Sequence, residues 1–201
     1  MQFDRGKLKA LVLYTCRKCE SANLGAVKLH KVLYFSDMLH YAWSGAPITG
    51  ATYRKRQLGP TCDNLLPILR ELENEGSLQV RTSDYFGYQK KEYLASTEPE
   101  MERFSSREIA LIDEVIDFVC CDNTARTISE FSHNKAWQMA EFGDILPYRG
   151  VYHIFPNQVS LEAMEWASSE AETVNNERTG DISVEGSDFD DFRSRVLETS
   201  S

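Results

Sequence analysis

Five cysteines and four histidines are the side chains here best suited to holding a metal or attacking a substrate. Cys16 and Cys19 enclose Arg17-Lys18 with the spacing of a metal-binding pair. The other pair, Cys120-Cys121, is adjacent rather than spaced by two, and a structural zinc site needs four well-placed ligands. Vicinal cysteines rarely bridge each other without strain, and Cys62 makes the total odd, so free thiols are the expectation. His30, His40, His133 and His153 fall in no His-Glu-x-x-His or His-x-Glu pattern and adjoin no nucleophile signature. Acyl transfer and nucleotide chemistry lack their anchors too, since no G-x-S-x-G, G-x-x-x-x-G-K-[ST] or G-x-G-x-x-G occurs. Asp113 and Asp117 are carboxylates one helical turn apart beside an apolar stripe, which suits a solvated face. The expectation is a protein that catalyses nothing and needs no metal or cofactor.

Arg54-Lys55-Arg56, behind Tyr53, is the one basic triplet. Such a group contacts phosphate, decorates an ordinary exposed strand, or faces an acidic partner. The formal charge of −9 repels polyphosphate and argues against nucleic acid. Over half of that excess sits in residues 171–201, which hold eight acidic and three basic side chains. A hydrophobic fraction of 42% and a charged fraction of 26% are ordinary for a globular protein. No apolar run reaches the roughly 18 residues that a membrane span requires. The first seven residues carry charges where an export signal is apolar, so a cytoplasmic, reducing location is expected.

The elements that must position these residues are mainly helical. Leu8, Leu11, Val12 and Thr15 form one stripe of a helix over Phe3 to Cys19, and the apolar spacing from Lys28 to Asp37 suits a buried helix. Gly45, Pro47 and Gly50 mark a loop, then Thr52 to Gln57 alternates as a short strand, with Pro60 suited to a first helical turn. Leu65, Ile68, Leu69 and Leu72 make an apolar stripe in a helix from Asn64 to Glu75, stopped by Gly76. Leu78 to Arg81 and Gln89 to Leu94 read as a β-hairpin, so helix plus hairpin resembles a winged-helix wing. Ser105-Ser106-Arg107-Glu108 is a capping box ahead of Ile109, Ile112, Val115, Ile116 and Val119, and Thr127-Ile128-Ser129-Glu130 reads as a second helix start. Short helical pieces flank Ser132-His133, the stretches from Ile145 and from Val151 to Phe155 read as extended, and Ser160 to Ala171 suits a last helix. The fold class is mainly α with a small β element: a globular domain over 1–170 and an acidic flexible tail over 171–201.

From Lys28 to Gly76 the chain combines K-L-x-K-V-L-Y-F-x-D, the turn Ile48-Thr49-Gly50, Tyr53, Leu58-Gly59-Pro60 and a helix ending at Glu75-Gly76. Phe131-Ser132-His133, followed by Ala136-Trp137, completes the pattern with a gap one residue short. Together these resemble the Panacea (SocA-like) antitoxin domain over about residues 5–155. The resemblance implies a compact helical domain that neutralises a cognate toxin by direct binding, in bacteria or their phages. One branch of that family delivers its toxin to an ATP-dependent protease. Lys28, Lys31, Tyr34, Asp37, Tyr53, Gly59, Pro60, His133 and Trp137 match the motif by position. The Cys-bearing first helix, the shortened gap and the tail are not parts of it.

Each matched residue has a structural and a contact reading. Lys28, Lys31 and Asp37 lie on roughly one helix face, where they form an internal ion pair or meet a partner. Tyr34 and Trp137 are core aromatics or interface anchors. Gly59-Pro60 most simply fixes a strand-to-helix turn, and His133 caps or bridges the joint before Trp137. The tail either wraps a partner through Phe189 and Phe192 or only solubilises. The leading expectation is an antitoxin, with Arg54 and Arg56 among its candidate contacts. Its rivals are a winged-helix DNA-binding regulator and a protease adaptor.

Overall fold

A computed structural model of the chain describes residues 2–85 and 88–153. They belong to a compact unit, Met1–Ile154. The expected helix at 160–171, the tail and its phenylalanines lie outside the described residues.

Helix α1, Arg5–Lys18, starts at Asp4, whose carboxylate accepts the Lys7 N–H and so satisfies one of the amides a helix start leaves unpaired. It buries Leu8, Leu11, Val12 and Thr15, the predicted stripe. Helix α2, Ala26–Ser44, is the core of the unit. Leu29, Val32, Leu33, Tyr34, Phe35 and Met38 are buried around its whole circumference, because α1, the later helices and a hairpin surround it. Gly45, with φ +73°, ends it in the left-handed region where a Cβ costs energy.

A two-residue turn at Gln57-Leu58 joins β1, Tyr53–Arg56, to β2, Gly59–Cys62. Pro60 therefore sits in a strand opposite Lys55, not in a helix start as its ring would suit, and its carbonyl is left for a side chain. Helix α3, Leu65–Asn74, buries the predicted Leu65, Ile68, Leu69 and Leu72, and Gly76 terminates it at φ +71°. Strands β3, Leu78–Tyr85, and β4, Tyr88–Ala95, pair antiparallel from Leu78–Ala95 onward, the expected hairpin made longer.

Helix α4, Ser106–Ile116, opens with the predicted capping box of Ser105 and Glu108. It continues into a wider π-helical turn, Asp117–Cys121. Helix α5, Ala125–Phe131, starts earlier than Thr127 suggests: Thr124 is the cap and Thr127 its partner. Helix α6, Lys135–Met139, is capped by Asn134. The predicted extension holds at Ile145, which bridges Arg54, but Tyr148–His153 is a 3-10 turn, entered through the Gly150 N–H to Pro147 carbonyl bond. The mainly α fold, with two small two-stranded sheets among the described residues, is thus observed. Among the described residues no helix is long and apolar enough to cross a membrane.

The expectation of five free thiols fails. Cys19, at the end of α1, and Cys120, in the π-helical turn, are disulfide-bonded, while Cys16, Cys62 and Cys121 remain free. Residues 101 positions apart carry no local signal of their meeting; the packing of α4 brings them together. Burial pushes the Cys16 and Cys62 thiols up to about 12, which makes them poor nucleophiles.

Candidate functional site

The matched residues gather around α2, but Lys28, Lys31 and Asp37 do not pair with one another. Lys28 donates to the Cys120 carbonyl at 3.0 Å, which the π-helical turn leaves available. Lys31 donates to the Pro60 carbonyl at 2.9 Å. Asp37 takes no cation among the described residues. Its carboxylate accepts the Thr49 N–H at 2.6 Å and the Thr49 hydroxyl at 2.5 Å, with the Tyr53 and Tyr148 phenols at 2.8 and 3.2 Å. Nor do the three share one face. In a regular helix of about 3.6 residues per turn Lys28 and Lys31 are about 60° apart, but Asp37 points about 120° from Lys31 and to the opposite side from Lys28, so each meets a different distant segment.

The Asp37 cluster is a buried clasp. Each phenol has one proton and a second acceptor nearby: the Leu33 carbonyl at 2.8 Å for Tyr53, the Ala51 carbonyl at 2.6 Å for Tyr148. Burial pushes the Asp37 carboxyl above its usual range, against the donors from Thr49, Tyr53 and Tyr148. The same clasp holds the loop after α2, strand β1 and the Tyr148–His153 turn onto one side chain. Asp37 is completely covered.

A second cluster forms where β2 meets the α5–α6 joint. Gly59 has φ +89°, and a Cβ there would fall on Ser132 Oγ and lie 2.9 Å from Lys31 Nζ. Glycine is needed for both the backbone angle and the space, inside a hairpin rather than at a strand-to-helix turn. Burial pulls the Lys31 amine down to about 7. A lysine so placed resembles an activated nucleophile, but it is only 1% exposed. His133, at the joint, stacks on Trp137 with ring centroids 3.8 Å apart and gives its backbone N–H to the Glu130 carbonyl. Burial, with the charges of Lys31 and Lys55, holds its imidazole below the usual histidine range. Asn134 caps α6 and donates to the Tyr34 hydroxyl at 3.3 Å, which links this joint to the core.

Tyr34 is core, edge-on to both Phe35 and Tyr53. Trp137 is only half-buried and its indole N–H reaches the Arg56 carbonyl at 3.3 Å. The basic triplet is divided. Arg54 pairs with Asp63 at 2.5 Å and with the Gly143 carbonyl at 3.0 Å; Lys55 donates to the Ala140 carbonyl at 2.9 Å and lies over the Trp137 ring. Arg56 is exposed, with its guanidinium over Phe142. Of the other histidines, His30 accepts the Cys62 N–H at 3.1 Å and is held to about 4, while His40 bonds the Ala46 carbonyl at 2.7 Å.

Thr49 and Ser132 stand within the motif, but not as partners of Asp37 and Gly59, and the motif does not single out Asn134 or Tyr148. Asn134, three residues before Trp137, had a local signal, that of a helix cap. Neither a curated protein nor a solved structure matches the chain. The matched motif residues Lys31, Tyr34, Asp37, Tyr53, Gly59, Pro60 and His133 hold α2, the β1–β2 hairpin and the α5–α6 joint together, so the pattern describes a fold. The family described as antitoxin SocA-like, Panacea domain matches residues 29–138, more than half of the chain, and the chain belongs to that family.

Proposed function

We propose that this protein is an antitoxin that neutralises a cognate toxin by binding it directly, in the cytoplasm of a bacterium or its phage, without catalysing a reaction. The observation that carries the reading is the family match from α2 through α6. Buried chemistry supports it: Lys31 and Asp37, the charged residues of that stretch with the least exposure, are sealed inside the fold, and large apolar side chains such as Met139 and Phe142 face outward. A binding module needs its outer surface and a rigid support, and the buried clusters supply the support.

The test is co-expression with the product of the adjacent gene. The expected result is that this gene alone arrests growth, that the present chain restores growth, and that the two proteins purify as a stoichiometric complex. Growth arrest that persists, with no complex, refutes the reading. Rescue that requires an ATP-dependent protease and lowers the partner's level identifies the adaptor mode instead of occlusion.

A further inference from the structure

The outer edge of β1 is covered by the segment that follows α6. Gly143 gives its N–H to the Lys55 carbonyl at 3.1 Å, Lys55 gives its own to the Asp144 carbonyl at 2.9 Å, and Leu146 gives its own to the Tyr53 carbonyl at 2.8 Å. The side chains of Arg54 and Lys55 bind two more carbonyls of the same segment, those of Gly143 and Ala140. Such bonding normally accompanies apolar side chains turned into a core. Here Met139 is 72% exposed, Phe142 68% and Ile145 54%, with Leu58 at the hairpin turn 56% exposed. The main chain is held firmly while its large apolar side chains stand in water.

Beside one of these side chains, in the strand that the segment covers, stands Arg56. Its guanidinium faces the Phe142 ring at 5.7 Å and has no carboxylate partner among the described residues, in a chain whose formal charge is −9. Arginine packed beside exposed aromatic and aliphatic groups is the composition of an interface centre, where a desolvated guanidinium takes a carboxylate bidentately. We propose that Leu58, Met139, Phe142 and Ile145, with Arg56 among them, form the docking surface for a partner protein. The partner presents an apolar patch bearing a carboxylate, which Arg56 receives. The surface rests on the antitoxin reading and names where that binding takes place.

Arg54 and Lys55 carry charge in the same strand but are engaged in holding the frame, so Arg56 is the cation this strand offers a partner, while Glu141 and Asp144, exposed in the covering segment, repel carboxylates placed elsewhere. The rigid frame keeps the ordering cost of binding small. Leu66, on α3, is 55% exposed and is not one of the residues of this surface, which makes it the control position.

The experiment measures binding of the purified product of the adjacent gene by calorimetry to the full chain and to Phe142→Ser, Met139→Asp, Arg56→Glu and Leu66→Ser, with a thermal melt of each. The expected result is a loss of about 30-fold or more for each surface variant, at an unchanged melting temperature, and wild-type affinity for Leu66→Ser. Arg56→Lys should recover part of the loss that Arg56→Glu causes, because charge is kept without the bidentate fork. A photo-crosslinking amino acid at position 142 should join the partner, and at position 66 it should not. If wild type binds and the surface variants bind as well as it does, the surface is wrong and the antitoxin reading stands. If wild type does not bind the partner, both are overturned. Tight binding of duplex DNA that Arg56→Glu abolishes overturns the protein partner.

Discussion

Replacing Gly59 by alanine tests the tertiary reading of the motif at its tightest point. The backbone there has φ +89°, and forcing an L-residue into the left-handed region costs roughly 1–2 kcal/mol. The added Cβ also falls on Ser132 Oγ, a buried hydroxyl already donating to the Ser129 carbonyl at 2.6 Å, and lies 2.9 Å from Lys31 Nζ. Overpacking of this kind adds about 1–3 kcal/mol. The sum is about 2–5 kcal/mol, and at roughly 2–4 °C per kcal/mol for a chain of this size the melting temperature should fall by about 4–20 °C. Gly76→Ala is the matched control, because Gly76 has φ +71° but nothing within 4 Å of a Cβ, so it carries only the backbone cost. Circular dichroism melts of both variants, together with Ser132→Ala and the double variant Gly59→Ala/Ser132→Ala, separate the two contributions. Removing Oγ should recover part of the Gly59→Ala loss, a coupling on the order of 1 kcal/mol. Gly59→Ala melting within about 2 °C of Gly76→Ala would refute the steric argument, since about 1–3 kcal/mol of collision would then be missing.

Lys31→Met reports on the buried amine through pH. The folded protein holds the Lys31 ammonium pKa at about 7, against 10.5 when exposed, so the unfolded chain binds the extra proton between those values. Wild-type stability should therefore rise relative to Lys31→Met by about 1.4 kcal/mol per pH unit from pH 7 to pH 9 in urea titrations; equal slopes contradict the assignment. Asp37→Ala should cost about 2–4 kcal/mol, because it strands the Thr49 N–H and hydroxyl in the core, whereas Tyr148→Phe, which removes one phenol bond, should cost about 1 kcal/mol. Chemical denaturation decides this, and equal losses would exclude Asp37 as the hub. Cys19→Ser opens a cross-link between residues 101 apart and should lower stability by about 3–5 kcal/mol under oxidising conditions. Reductant should erase the difference between Cys19→Ser and wild type, and a wild-type melt insensitive to reductant would count against the bond.

The sequence by itself determined the elements whose signals are local. The Leu65–Leu72 stripe and Gly76 delimit α3, the Ser105–Glu108 box starts α4, and alternation around Leu78–Arg81 and Gln89–Leu94 marks the second hairpin. Periodicity and capping act within a few residues, so one chain suffices to read them. It also carried the motif by which the family is legible, because the order of Lys31, Asp37, Tyr53, Gly59-Pro60 and His133 follows the contacts that build the fold. What those residues do was decided by tertiary structure. Lys31 and Asp37 lie on one helix, but one bonds Pro60 and the other a clasp whose Tyr148 lies 111 residues away, and no spacing rule reaches so far. The Cys19–Cys120 bond and the division of Arg54, Lys55 and Arg56 between frame and surface have the same cause. Phe142 and Met139 look like core residues by type, and only the packing that leaves them in water separates them from the core.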